Sequence, residues 1–192
     1  LRYAAICCNI GKYHWSAPAN WMYSNLLDGD LASNHLSWQW VAGTFSNRKY
    51  VANQENINKY FNSTQVNTFL DVPYEDFNNL EVPNVLKQTY NVKGGINYPE
   101  SISLQELEEK KTLVYNYYNL DPLWHEEEDV QRILLIEPSV FKRYPISQKC
   151  MDFAVDLSAN IKNIRIFVGS FSALQLQLKG SQIVFKEHPL NA

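Results

Sequence analysis

Along residues 1–61 the apolar positions recur at helical spacing, with short breaks at Gly11 and Pro18. The spacing predicts a helix over 3–10. It predicts a second helix over 18–27 with Pro18 in the first turn, where its missing N–H costs nothing. The Asp28-Gly29-Asp30 turn ends that helix, and Asp30 is placed to N-cap a third over 31–42 that Gly43 terminates. Asn-rich, weakly periodic sequence follows over 53–97, with Pro73 and Pro83 as breaks and Gly94-Gly95 as a tight turn. Ser103 with Glu106 three positions later reads as a capping box that opens a helix over 103–118.

After Pro122 the periodicity changes. Short apolar runs over 132–136, 164–168 and 183–185 read as strands, and they alternate with amphipathic helices over 147–161 and 172–178. That alternation implies a small parallel sheet of three strands with crossover helices. The expected organisation is therefore a helical region over 1–61, a loop-rich connection with one helix over 62–121, and a small α/β segment over 122–192. The fold class is mixed.

Composition narrows the function. Of 192 residues, 45% are apolar and 19% charged, enough to bury a core and against global disorder. A formal net charge of −3 supplies no general attraction for nucleic acid, so any DNA contact has to come from a local patch. Cys7, Cys8 and Cys150 are an odd set without metal-ligand spacing, which suggests neither a disulfide framework nor a zinc site and points to a reducing cytoplasm. No apolar run approaches the about 20 residues that cross a bilayer. The chain opens without Met inside a segment that already reads as helical, so further residues upstream of Leu1 are expected.

The residues that carry chemistry cluster near the third helix. Asn34 and Trp38 are four apart and share one helix face, whereas Trp40 lies roughly 200° around from Trp38 at about 100° per residue and points the other way. Asp28 and Asp30 sit in the entry turn, where carboxylates can accept bonds from the N–H or hydroxyl groups of a ligand. Taken singly, each has a plain structural reading: Asp30 as a cap, the tryptophans as core. The share of aromatic residues, 14%, permits either core packing or stacking on a flat ligand.

The joint pattern is more specific. The run Asp28-Gly29-Asp30-Leu31-Ala32-Ser33-Asn34, followed by Trp38-Gln39-Trp40-Val41-Ala42-Gly43, resembles the FAD-binding signature of the photolyase/cryptochrome family nearly without gaps. The similarity extends over 12–61, with 50–60 resembling the loop that follows the signature. Asp121-Pro122-Leu123-Trp124-His125 and 132–141 resemble, more weakly, the ends of bacterial photolyase-related chains.

The resemblance implies an all-helical region that holds FAD in a U shape. By it, Asp28 takes the position near the ribityl and adenine side, Asp30 the flavin ring edge, and Asn34 the position beside flavin N5. Trp38 matches the tryptophan nearest the flavin and Trp15 the next electron donor, while Trp40 matches the one lining the lesion pocket. The family's third, outer tryptophan has no counterpart, with Tyr13 or Trp21 as stand-ins. The implied activity is light-driven repair of pyrimidine dimers in damaged DNA, by electron transfer from reduced flavin. Two rivals stand beside it: a cryptochrome-type blue-light sensor that binds FAD without repair, and a non-enzymatic remnant.

Other groups read as structure. His35 serves as a cap or a surface residue as readily as a proton relay. Residues 125–129 form a solvated acidic turn, because consecutive helical residues do not converge on one ion. Arg48, Lys49, Lys59, Lys142 and Arg143 are ordinary surface charge.

Overall fold

A computed structural model of the chain describes residues 1–45, 47–88 and 95–188. Its contacts divide it into two compact units, Leu1–Lys93 and Gly94–Ala192. Of the expected Gly94-Gly95 turn, Gly94 lies outside the described residues.

The first unit is helical. α1 (Arg2–Ala5) runs into a wider π-helical turn (Ile6–Ile10), closed where Gly11 N donates to Ile6 O at 2.7 Å. α2 (Ser16–Asn25) carries Pro18 in its first turn, and α3 (Leu31–Ala42) follows the acidic turn. Asp30 Oδ1 accepts from Ser33 N at 2.6 Å, which satisfies one of the donors left free at the start of α3. At the other end Gly43 takes a left-handed conformation with φ 75°, costly for a residue with a Cβ, and the Thr44 N–H closes onto Gln39 O. Over 50–60 the family likeness predicts a loop. Most of that stretch is instead a helix, α4 (Gln54–Phe61), because Asn53 caps it through Asn56 N and Asn62 supplies a left-handed stop at φ 50°.

Trp38 is the centre of this unit's core. The indole is 2% exposed and is enclosed by Ala4, Ala5, Cys8, Ala19 and Val41. Small side chains on α1, the π turn and α2 let those backbones close around one large ring. Asn9, in the π turn, ties down the chain after α3 by donating from Nδ2 to Val41 O at 2.8 Å and Tyr50 O at 2.6 Å.

The second unit is built on a parallel sheet. Its strands are β1 (Thr112–Tyr115), β2 (Gln131–Ile136), β3 (Ile164–Val168) and β4 (Ile183–Phe185), in the order β3-β2-β1-β4. Helices α5 (Pro138–Arg143) and α6 (Gln148–Ser158) connect β2 to β3, and α7 (Phe171–Gln177) connects β3 to β4. Ser147 and Ser170 cap α6 and α7 by accepting from backbone N–H groups.

The sheet therefore has four strands rather than the expected three, and the extra strand lies where a helix over 103–118 is predicted from the capping box. That box does form, with Ser103 N donating to Glu106 Oε1 at 2.8 Å, but it closes only one 3-10 turn (Leu104–Glu106). Thr112-Leu113-Val114-Tyr115 then enters the middle of the sheet, every residue buried. β-branched and aromatic residues suit a strand covered on both faces, and burial between β2 and β4 outweighs a local start signal.

One buried cation organises the loop before β2. Arg132 is 3% exposed, and its Nη2 donates to the carbonyls of His125, Glu126 and Glu128 at 2.6, 3.1 and 3.1 Å. The acidic turn is thereby held through its backbone, with His125 at φ 53°. Arg132→Met keeps the aliphatic stem but leaves those carbonyls without their donor, and is expected to lower stability by about 2 kcal/mol. A shift of the urea midpoint at unchanged slope checks this; an unchanged midpoint would show that water replaces the guanidinium without loss.

Candidate functional site

The geometry of the first unit converges on a cleft of 440 Å³ beside α3. Asp28, Asp30, Asn34 and Trp38 all line it, as do Ser33 and Ser37 from the same helix face. Met22 on α2, Leu26 just past its end and Ala4 on α1 supply an apolar wall. The position of Asp28 depends on the tight turn between α2 and α3. A Cβ on Gly29 would stand 3.2 Å from both Leu26 Cβ and Leu26 O, so only glycine lets the turn close this far without displacement.

Asn34 has two tasks available to its amide. Nδ2 donates to Ala19 O at 2.8 Å and so ties α3 to α2, and the same side chain lines the cleft. Beside it, His35 Nε2 lies 2.8 Å from Asn20 Oδ1, a second tie between the same helices. Trp38 forms the buried wall of the cleft.

The other two tryptophans lie elsewhere. Trp40 is 50% exposed on the far side of α3 and stands against Tyr50 with ring centroids 5.7 Å apart. Trp15 does not line the cleft. It packs against the cluster around Trp38 and meets His35 edge-on at 5.6 Å.

Ser33 and Ser37 were not singled out from the sequence. Their spacing could have found them: Asp30, Ser33, Asn34, Ser37 and Trp38 follow three-and-four steps along one face of a helix. Met22 and Leu26 could not be found in this way, because they reach the cleft from another helix.

In the second unit, Val114, Leu135, Phe141, Phe171 and Phe185 surround a smaller cavity of 70 Å³ at the carboxyl ends of the strands. Its carboxylate, Glu137, is engaged as an acceptor for Phe171 N at 2.7 Å. Among the described residues no group of three or more His, Cys, Asp or Glu side chains could hold a metal ion, and no helix is long and apolar enough to cross a membrane.

Burial holds the His35 imidazole below its ordinary value of 6.5. The unfolded chain therefore takes up the proton first as pH falls, and stability tied to neutral His35 is complete above about pH 6.5 and declines below it. The urea midpoint is expected to fall with pH in that window for the natural chain and less so for His35→Asn. Equal pH slopes for the two proteins would contradict the assignment.

A family profile described as the FAD binding domain of DNA photolyase matches residues 3–117, more than half of the chain. The match covers every residue lining the cleft except Leu1 and ends just past β1. Comparison with curated proteins and with solved structures gave no match. The chain belongs to the photolyase family through its FAD-binding domain, and its cofactor is FAD.

Proposed function

We propose that this chain holds FAD in the cleft beside α3 and takes part in light-driven repair of pyrimidine dimers in DNA. The observation that carries the reading is the convergence of Asp28, Asp30, Asn34 and Trp38 on one cleft, with Trp40 exposed on the opposite side of the same helix.

The residues present suit a flavin. Carboxylates at Asp28 and Asp30 accept from ring N–H and sugar hydroxyl groups, and the Asn34 amide presents an oxygen to a ring nitrogen that changes its protonation. Met22 and Leu26 offer an apolar wall to a flat ring. A volume of 440 Å³ lies within the about 300–1,000 Å³ of typical small-molecule sites. When bound, FAD supplies light-driven one-electron chemistry, and the protein supplies orientation and electrostatics.

Within that division of labour, Trp38 is a one-electron donor at the cleft wall and Trp15, packed against the same cluster, is a second indole behind it. Trp40 offers its face to a base swung out of the DNA stack, where stacking contributes ~1–3 kcal/mol per base. The net charge of −3 leaves little general attraction for the phosphate backbone, so this contact carries much of the affinity. Three free cysteines accord with a reducing cytoplasm.

Asp30 both caps α3 and faces the cleft, and two substitutions separate these roles. Asp30→Ala is expected to cost about 1 kcal/mol of stability, whereas Asp30→Ser keeps the cap within a few tenths of a kcal/mol. Both are expected to lose flavin retention, measured by absorbance after gel filtration. Full retention by Asp30→Ser would remove the carboxylate from the cofactor site.

The activity itself is tested by illuminating the FAD-loaded protein with an oligonucleotide carrying one pyrimidine dimer. Loss of the dimer is expected, and Trp40→Ala is expected to weaken binding of that oligonucleotide about tenfold or more while flavin retention stays unchanged. Flavin retained with no dimer repaired would move the assignment to light sensing.

A further inference from the structure

The sheet of the second unit changes direction between β1 and β4. From β1 the chain steps outward to β2 and then to β3, and it next crosses back to lay β4 on the other side of β1. At such a reversal a crevice opens outside the carboxyl ends of the strands, where open parallel sheets bind small molecules. The cavity of 70 Å³ lies there, with the register partners Val114 and Phe185 among its walls.

Aromatic rings dominate those walls. Phe171 meets Phe185 at 70° with centroids 5.4 Å apart, and Tyr117 meets Phe141 at 80° and 5.6 Å. Phe185 is 50% exposed and forms the accessible side. At 70 Å³ the cavity holds several times the roughly 10–15 Å³ that one water needs, but less than half of the about 150 Å³ that encloses benzene. It therefore takes the edge of a flat ring, with the rest of the ring against Phe185.

The polar groups select which edge enters. Glu137 Oε1 accepts from Phe171 N at 2.7 Å, and its second oxygen has no partner among the described residues, so the carboxylate still has an acceptor to offer. No described lining residue is cationic. Asn116-Tyr117-Tyr118 follows β1 where a phosphate cradle needs glycines, so nothing here receives a phosphate.

We propose that this crevice binds a phosphate-free, amino-substituted heteroaromatic ring, a nucleoside or its base, with the amino edge donating to Glu137 and the ring against Phe185. The site shares no residue with the cleft beside α3, and it does not rest on the flavin reading.

Titration calorimetry of the FAD-loaded full chain with adenosine tests this, and saturable binding is expected. Purine riboside, the same ring without the amino group, is expected to bind about tenfold more weakly, the loss of one hydrogen bond to a charged acceptor. Adenosine monophosphate is expected to bind no more tightly than adenosine. Absence of saturable adenosine binding, or a clear preference for the monophosphate, overturns the assignment.

Two variants locate the binding. Glu137→Gln keeps an oxygen for Phe171 N but puts an amide N–H in place of the second acceptor, and is expected to erase the preference for adenosine over purine riboside. Phe185→Ala removes the exposed ring and is expected to weaken both ligands, while Leu176→Ala, exposed on α7 outside the cavity, leaves them unchanged. Full adenosine affinity in both Glu137→Gln and Phe185→Ala removes the ligand from this crevice. Adenosine binding that FAD abolishes belongs to the cleft beside α3 and overturns the second site. If the chain fails to load FAD, the flavin reading falls alone, because the same variants assign adenosine binding in the flavin-free chain.

Discussion

The enclosure of the Trp38 ring by small side chains sets the spacing of the first unit. An indole brings a large buried area and a rigid plane, and Ala4, Ala5 and Ala19 can approach it only because they bring almost no volume of their own. The approach of α2 to α3 that follows is short enough for the Asn34 amide to reach Ala19 O. From that one contact the rest of the cleft is placed: the acidic turn joins the two helices, and Asp28 and Asp30 fall on the same side as Trp38. Core and candidate site are thus two faces of one residue.

This explains how one short helix separates two environments. Residues three and four apart from Asp30 line the cleft, while Trp40, about half a turn from Trp38, is left in solvent. No loop needs to move to bring the groups together. The second unit follows a different rule, with β1 and β2 buried along their whole length and the buried cation Arg132 spent on backbone carbonyls rather than on a carboxylate.

Much of this was legible in the residues. Asp30 and Gly43 mark both ends of α3 because cap and stop are local effects that need no partner, and the apolar runs of β2, β3 and β4 announce themselves in the same way. β1 was not legible. The capping box at Ser103 is a genuine local signal, and what overrules it is burial between strands that arrive later in the chain. The cleft was half legible: the face of α3 could be read from spacing, whereas Met22 and Leu26 depend on how the helices pack.

The π-helical turn at Ile6–Ile10 bears on how this segment tolerates change in length. Its wider winding accommodates one more residue than an α-helical turn would, and that phase points Asn9 at the backbone of Val41 and Tyr50. Adding a single residue here would carry the following side chains about 100° around the axis. Surface loops absorb insertions and deletions readily. This turn is a place where chain length itself is constrained, as tightly as residue identity is elsewhere in the core.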